Sequence, residues 1–228
     1  VYYWTSDNLD VSFSQPDSPT TNVVMPVTGC FKVSLQIANS MGCNVNYPDV
    51  FKGCAGLYAN FKMTSNTPCV GDTVYTVNKS GLSTKFKWYS TPPGKVEFLP
   101  NDSVSNPKLL FNDSGNIKVS MIAFSQVGCS DTATYNVKAK KIFVDFYSPD
   151  TVRYCGPSTV TFYVKSLNND YYEWDFGDGS ATIAGYLKKV SHVYDIKKGK
   201  NKWDITFKVT DNIGCNSTII KPNYIKLN

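Results

Sequence analysis

The chain has 228 residues, of which 42% are hydrophobic, 14% aromatic and only 18% charged, with a formal net charge of +5. That length allows two to three small domains with cores of their own, and so small an excess of positive charge does not point to nucleic acid. No stretch of about 18 uninterrupted apolar residues occurs, so no membrane insertion is expected.

The N-terminus, VYYWTSDN, has neither a basic nor an apolar signal-peptide region, so the chain reads as mature or as an excised piece. In chain order, the first recognisable elements are Trp4, the strand GCFKVSL (29–35) and the turn ANSMGC, which ends at Cys43. A second set follows with Cys69, Trp88, GNIKVSM (115–121) and FSQVGC, ending at Cys129. The third contains Cys155, VTFYV (160–164), YYEWDF (171–176), NKWDITF (201–207) and TDNIGC, ending at Cys215. These segments alternate apolar and polar residues at period two between Gly, Asn, Asp and Pro, the pattern of short strands joined by turns. Abundant Tyr, Thr and Val agree with that, and no 3.6-residue apolar period competes.

One offset of 86 residues carries Cys69 to Cys155, Trp88 to Trp174 and Cys129 to Cys215, which identifies an internal repeat. The same offset carries Cys43 to Cys129. Trp4 precedes Cys43 by 39 residues against 41 in the other copies, so the first copy has lost two residues. The counterpart of Cys69 falls before Val1, and the first repeat therefore reads as cut off at its start. The expected organisation is the later part of a truncated repeat over residues 1–52, a second repeat over 53–142 and a third over 143–228.

Seven cysteines with no CxxC and a single histidine argue against a zinc cluster, and no cofactor is expected. The spacing from Cys69 to Cys129 equals that from Cys155 to Cys215, 60 residues in each case, and argues for two disulfides. Cys30 and Cys54 belong to the first copy alone, on either side of one hairpin, and read as an added staple that leaves Cys43 without a partner in the chain. Strands with a Cys…Trp…Cys constellation point to an all-β fold of tandem immunoglobulin-like β-sandwiches, the first one incomplete, with Trp88 and Trp174 each buried against its repeat's disulfide. Trp203 aligns with Phe31 and Ile117 and should face a core.

In the third repeat, Trp174-Asp175-Phe176-Gly177-Asp178-Gly179, then Ser191-His192-Val193-Tyr194, then Asp204 to Asn212 (DITFKVTDN) resemble the WDFGDG, HxY and VTLxVTDN signatures of the polycystic kidney disease (PKD) domain. Residues 53–142 resemble a degenerate copy in which Trp88-Tyr89-Ser90-Thr91-Pro92-Pro93 replaces the acidic loop, and residues 1–52 resemble the second half of another. The ending Cys129-Ser130-Asp131-Thr132 is similar to PKD repeats in large surface proteins of Bacteroidetes, including gliding adhesins exported by the type IX system. That resemblance implies Asp-Ser/Thr acceptor motifs for O-glycosylation, matched at Thr73, Ser103, Thr132 and Thr151.

Asp175 and Asp178 are the residues that look most like chemistry. They read either as turn residues accepting backbone N–H bonds or as calcium ligands, with a catalytic carboxylate pair disfavoured because the other copies lack the loop. His192 reads as a hydrogen-bonded structural residue beside an inward Tyr194. The run KKGKNK (197–202) reads as a solvated loop, with an acidic polysaccharide as the alternative partner. Disulfides imply an extracellular location. Two readings follow: a non-catalytic segment of a cell-surface adhesin or filament, whose partners are neighbouring repeats of the same polypeptide, surface polysaccharide or other cell-surface proteins, or an ancillary glycan-binding region of a secreted hydrolase. Residues 1–52 read as simply truncated rather than as completed by a strand from another subunit.

Overall fold

The computed structural model describes residues 1–149, 151–153, 157–165, 170–196 and 200–227. The described residues form strands and turns without a helix, and none is long and apolar enough to cross a membrane as one. The chain divides into two compact units, Val1–Ala139 and Lys140–Asn228.

The first unit begins with β1 (Tyr2–Ser6), β2 (Ser12–Phe13), β3 (Val23–Val24), β4 (Gly29–Ala38) and β5 (Asn44–Ala55). Strands β1, β4 and β5 make an antiparallel sheet in the order β1-β4-β5, while β2 and β3 pair only with each other. Phe31 and Val33 on β4 alternate inward and are buried with Val11, while Trp4, Phe13 and Val23 pack around them. Strand β5 runs on to Ala55. Cys30 and Cys54 sit directly opposite each other on β4 and β5 and are disulfide-bonded, with Cα atoms 4.0 Å apart. The bond closes a 24-residue separation, which on chain-entropy grounds stabilises this hairpin by about 3.5 kcal/mol.

The same unit continues with β6 (Phe61–Met63), β7 (Thr73–Asn78), β8 (Lys85–Thr91), β9 (Val96–Leu99), β10 (Lys108–Phe111), β11 (Gly115–Phe124) and β12 (Ser130–Ala139). They form a sheet in the order β6-β7-β10-β9 and another in the order β12-β11-β8. Four strands against three in this order is the constant-type immunoglobulin arrangement. Between the sheets lies a core of Phe61, Val74, Trp88, Leu109, Phe111, Ile117, Val119 and Met121.

The second unit holds β13 (Phe146–Tyr147), β14 (Val152–Arg153), β15 (Ser158–Val164), β16 (Tyr171–Asp175), β17 (Ile183–Gly185), β18 (Lys189–Tyr194), β19 (Lys202–Thr210) and β20 (Asn216–Leu227). Its sheets run β13-β15-β18 and β14-β20-β19-β16-β17. Phe146, Phe162, Tyr172, Trp174, Phe176, Tyr194, Trp203 and Phe207 fill the space between them. The chain is thus all-β, in tandem immunoglobulin-like sandwiches of which the first is incomplete.

The repeat survives at the level of register. Trp4 stands opposite Leu35, Trp88 opposite Met121 and Trp174 opposite Phe207. Each following hairpin closes with one set of bonds: the N–H of Asn39, Ser125 and Asp211 donates to the carbonyl of Cys43, Cys129 and Cys215 at 2.9, 2.8 and 2.9 Å. The side chains of Asn39, Ser125 and Asp211 accept the N–H of those same cysteines at 3.0, 3.0 and 2.9 Å. Gly42, Gly128 and Gly214 complete the turns at positive φ, which an L side chain adopts only under strain. Phe31, Ile117 and Trp203, aligned by the repeat, are all buried.

Candidate functional site

The loop after β16 is built from two successive Asx turns. Asp175 accepts the N–H of Gly177 at 2.9 Å, and Asp178 accepts the N–H of Ser180 at 3.0 Å. Gly177 has φ +73°, and a Cβ there would come within 2.2 Å of the Asp204 carbonyl oxygen, so the close approach of β19 demands glycine. Lys200 donates to the Gly177 carbonyl at 2.7 Å.

The second oxygen of Asp178 lies 2.8 Å from His192 Nε2. His192 is inside β18, between Val190 and Tyr194 on the inward-facing side. Its ring lies flat on Phe176, centroids 4.1 Å apart and planes 6° apart, and meets the edge of Tyr194 at 4.8 Å. The Tyr194 hydroxyl donates to the Phe176 carbonyl at 3.1 Å. Burial pushes the Asp178 carboxyl up, but the Ser180 hydroxyl and N–H together with His192 overcome it and hold the group at about 2. Burial, with the negative charges of Asp178 and Asp175, pushes the Tyr194 phenol above its ordinary value.

Asp175, Asp178, His192 and Tyr194 are therefore brought together, and their bonds run to turn amides, to a backbone carbonyl and to one another. That arrangement pins the loop to β18 across the sandwich edge, closing the core over Phe176. Among the described residues no group of three or more His, Cys, Asp or Glu gathers as a metal site. At the equivalent place in the second copy, Ser90 donates its hydroxyl to the Pro92 carbonyl at 3.2 Å, and the Thr91–Pro92 bond is cis. Of the run KKGKNK, residues 197–199 lie outside the described residues.

The cysteines depart from the expected pairing. Cys129 carries a free, half-buried thiol and Cys43 a free, exposed one, while Cys69 and Cys215 are each disulfide-bonded. The Cys69–Cys129 bond expected from the shared spacing is not formed. Spacing records the length of the repeat, whereas a bond needs Cα atoms closer than about 7 Å and Cβ atoms that converge. Cys155 lies outside the described residues, and the Cys155–Cys215 pairing with it. Trp88 is accordingly packed not on a Cys69–Cys129 bridge but on Phe61, at 4.7 Å edge to face, and on Phe98. Trp174 is enclosed by Phe207, Phe146 and Phe162 at 4.2, 5.3 and 5.7 Å. Of the implied glycosylation positions, Thr73, Ser103 and Thr132 are exposed and Thr151 is half-buried.

Two polar centres were not read from the sequence. Asp145 takes Lys165 and Lys221, each at 2.7 Å; burial raises its carboxyl, but the two ammonium groups and the Phe146 N–H hold it at about 2. Lys221 also stands over the Phe146 ring, 4.5 Å from its centroid. Asp211 pairs with Lys140 while capping its hairpin. The repeat alignment does hold a signal for the second, since Asn39, Ser125 and Asp211 all stand four residues before a cysteine. Nothing local marks the first, whose partners lie 20 and 76 residues from Asp145.

No family model matches the chain, and no curated protein matches it. Among solved structures it is similar to murine CEACAM1b, at 12% identity over 75% of this chain and 98% of that one, with a TM-score of 0.31. It is also similar to the fibronectin(III)-like modules of Clostridium thermocellum CbhA, at 11% identity over 74% and 95% of the two chains, TM-score 0.32. A third likeness is to a Ca2+-stabilised adhesin that helps an Antarctic bacterium bind ice, at 9% identity over 87% and 57%, TM-score 0.36. Likenesses this distant say nothing of ligand or activity.

Proposed function

We propose that the chain is a non-catalytic segment of a large extracellular surface protein, in which successive immunoglobulin-like repeats of PKD type form a stalk that presents surfaces for adhesion, as in Bacteroidetes gliding adhesins exported by the type IX system. The observation that carries this reading is the register of tryptophan strand and hairpin, repeated three times in one chain while the loops around it change. Self-contained repeats supply reach without needing a site. The groups that looked catalytic, Asp175, Asp178 and His192, support it too, because they serve a turn that only the third copy possesses. The Cys30–Cys54 bond favours an oxidising compartment. On this reading the repeats span residues 1–55, 56–139 and 140–228, with β5 ending the first at Ala55.

A second reading, glycan binding, has one observation in its favour. Tyr171 and Tyr186 are 39% and 71% exposed and meet edge to face at 5.6 Å beside the Glu173–Lys208 pair, a small aromatic ledge on β16 and the segment after β17.

Both readings are tested by assaying the purified chain for turnover of polysaccharides and peptides and for saturable binding on a glycan array. The stalk reading expects neither, together with antibody labelling of unpermeabilised producing cells. Turnover that disappears in Asp175→Ala and Asp178→Ala with the fold intact by circular dichroism would overturn it. Glycan binding lost in Tyr171→Ala and Tyr186→Ala would establish the second reading.

A further inference from the structure

On the outer face of β12-β11-β8, Thr91, Lys118 and Asn136 form one cross-strand row, and Asn116 and Lys138 form the next. They alternate with the buried Ile117, Val119 and Val137, so all five are exposed. Asn66, whose carbonyl accepts the Lys138 N–H at 2.9 Å, closes the rim, and together they line a concavity of about 490 Å³. Two ammonium groups thus stand in a hollow that no carboxylate among the described residues lines. The ion pairs of this sandwich, Lys87–Asp102 and Lys95–Asp113, use other lysines.

The first copy shows what a lysine at this place does. Lys32 stands three residues before Leu35, the partner of Trp4, as Lys118 stands three before Met121, the partner of Trp88. With its cross-strand neighbour Lys52, Lys32 holds the Asp49 carboxylate, at 3.0 and 3.5 Å. The hydrogen bond from Lys32, helped by Lys52, keeps that carboxyl below its ordinary value. Asp49 reaches the two lysines from a bulge of β5, where pairing shifts between Val33 and Leu35 and Asp49 itself takes φ +53°. Strands β11 and β12 pair without interruption from Gly115 to Phe124, so the second copy has no bulge to supply a carboxylate of its own. The repeat does not demand lysines here either, since the 86-residue offset puts Asp204 and Tyr224 at the places of Lys118 and Lys138.

We propose that this face of the second copy is a docking site for an extended acidic peptide of another protein, with carboxylates two residues apart, one on Lys118 and one on Lys138. The two lysines are diagonal neighbours on β11 and β12, about 7–8 Å apart. Side chains at i and i+2 of an extended chain share one face at a spacing of about 6.5–7 Å, which matches. Asn66, Asn116 and Asn136 bring amides that both donate and accept, as the peptide N–H and C=O groups between the carboxylates require. No aromatic ring lines the hollow to carry the flat face of a sugar. A second copy of this chain does not fit, because its one pair of carboxylates two residues apart, Glu173 and Asp175, lies in β16 between β17 and β19, already engaged by Lys208 and the Gly177 N–H. The site is independent of the stalk reading: turnover and glycan binding decide that reading, and peptide binding decides this one.

The test titrates a fluorescein-labelled peptide, Thr-Asp-Thr-Asp-Thr, with the full chain and follows anisotropy. Saturable binding at low salt should weaken about threefold or more at about 0.15 M, where exposed charges are screened beyond about 8 Å. Lys118→Gln and Lys138→Gln should each weaken it about two- to fivefold and the double substitution should abolish it, while Lys62→Gln on the other sheet leaves it unchanged. Thr-Thr-Asp-Asp-Thr, whose adjacent carboxylates point to opposite sides of an extended chain, should bind several times more weakly. No saturable binding at low salt, equal binding of the two peptides, or insensitivity to both lysine substitutions with the fold intact by circular dichroism would overturn the proposal. So would a trigalacturonate that binds more tightly than the peptide through the same two lysines, since the face would then serve an acidic polysaccharide.

Discussion

The second and third sandwiches set their tryptophans at the same point of the same strand and then treat the indole differently. Trp88 and Trp174 are both buried, opposite Met121 and Phe207. The Trp88 N–H donates to the Val104 carbonyl at 2.9 Å, whereas the Trp174 N–H finds no acceptor among the described residues. An unmet buried donor costs about 1–3 kcal/mol. Three phenylalanine rings around Trp174 offset it, each such aromatic pair being worth about 0.5–1.5 kcal/mol beyond its burial. The turns that follow differ as well, one carrying a cis-proline and the other two Asx turns with glycines at positive φ. What the repeat holds constant is therefore register and core, and what it varies is loop chemistry, which is why the acidic loop is read as a local device.

The largest expected effect on this comparison comes from removing either ring. Trp88→Ala and Trp174→Ala should each cost about 3–5 kcal/mol in the sandwich that carries it, seen as two independent shifts in a denaturant melt followed by hydrogen exchange. Equal damage to both sandwiches by one substitution would deny that each has its own core. Next comes the loop: Gly177→Ala should cost about 2–3 kcal/mol, because positive φ is compounded by the clash with the Asp204 carbonyl. Gly179→Ala, at φ +84° with open space around it, should cost about 1 kcal/mol.

A smaller effect sharpens the indole difference. Trp88→Phe should cost about 1 kcal/mol more than Trp174→Phe, since only the first loses a hydrogen bond; equal costs would mean that Trp174 has an acceptor after all. The smallest effect is one of pH. Asp178 is held at about 2, below its unfolded value near 3.9, so its contribution is complete above about pH 4 and disappears as pH falls through 2. Asp178→Asn should flatten that acid limb of the third sandwich without abolishing it, because Asp145 is held equally low, and should leave the second sandwich unchanged.

The fold was legible because its signals are local and periodic. Alternation marked β15, β16 and β19, and the glycine before each terminal cysteine marked the hairpins. The 86-residue offset that aligns Trp88 with Trp174 reappears as their common cross-strand register. The inward placement of Trp203 followed from its alignment with Phe31 and Ile117. Spacing alone misled at Cys69 and Cys129, because chain separation does not determine whether two Cβ atoms converge. The cover that β2–β3 places over Phe31 and Val33 was missed, its strands being only two residues each. Asp145 was invisible for a similar reason, as its partners, Lys165 just after β15 and Lys221 on β20, lie far along the chain and share no motif.

Iodide quenching of the four single-tryptophan variants addresses most directly the claim that one register recurs three times and that its first occurrence is incomplete. Trp88, Trp174 and Trp203 should be protected, and half-buried Trp4 should be quenched to a clearly greater degree. A freely quenched Trp88 or Trp174 would contradict the shared core, and a Trp4 as protected as Trp174 would contradict the incompleteness of the first sandwich.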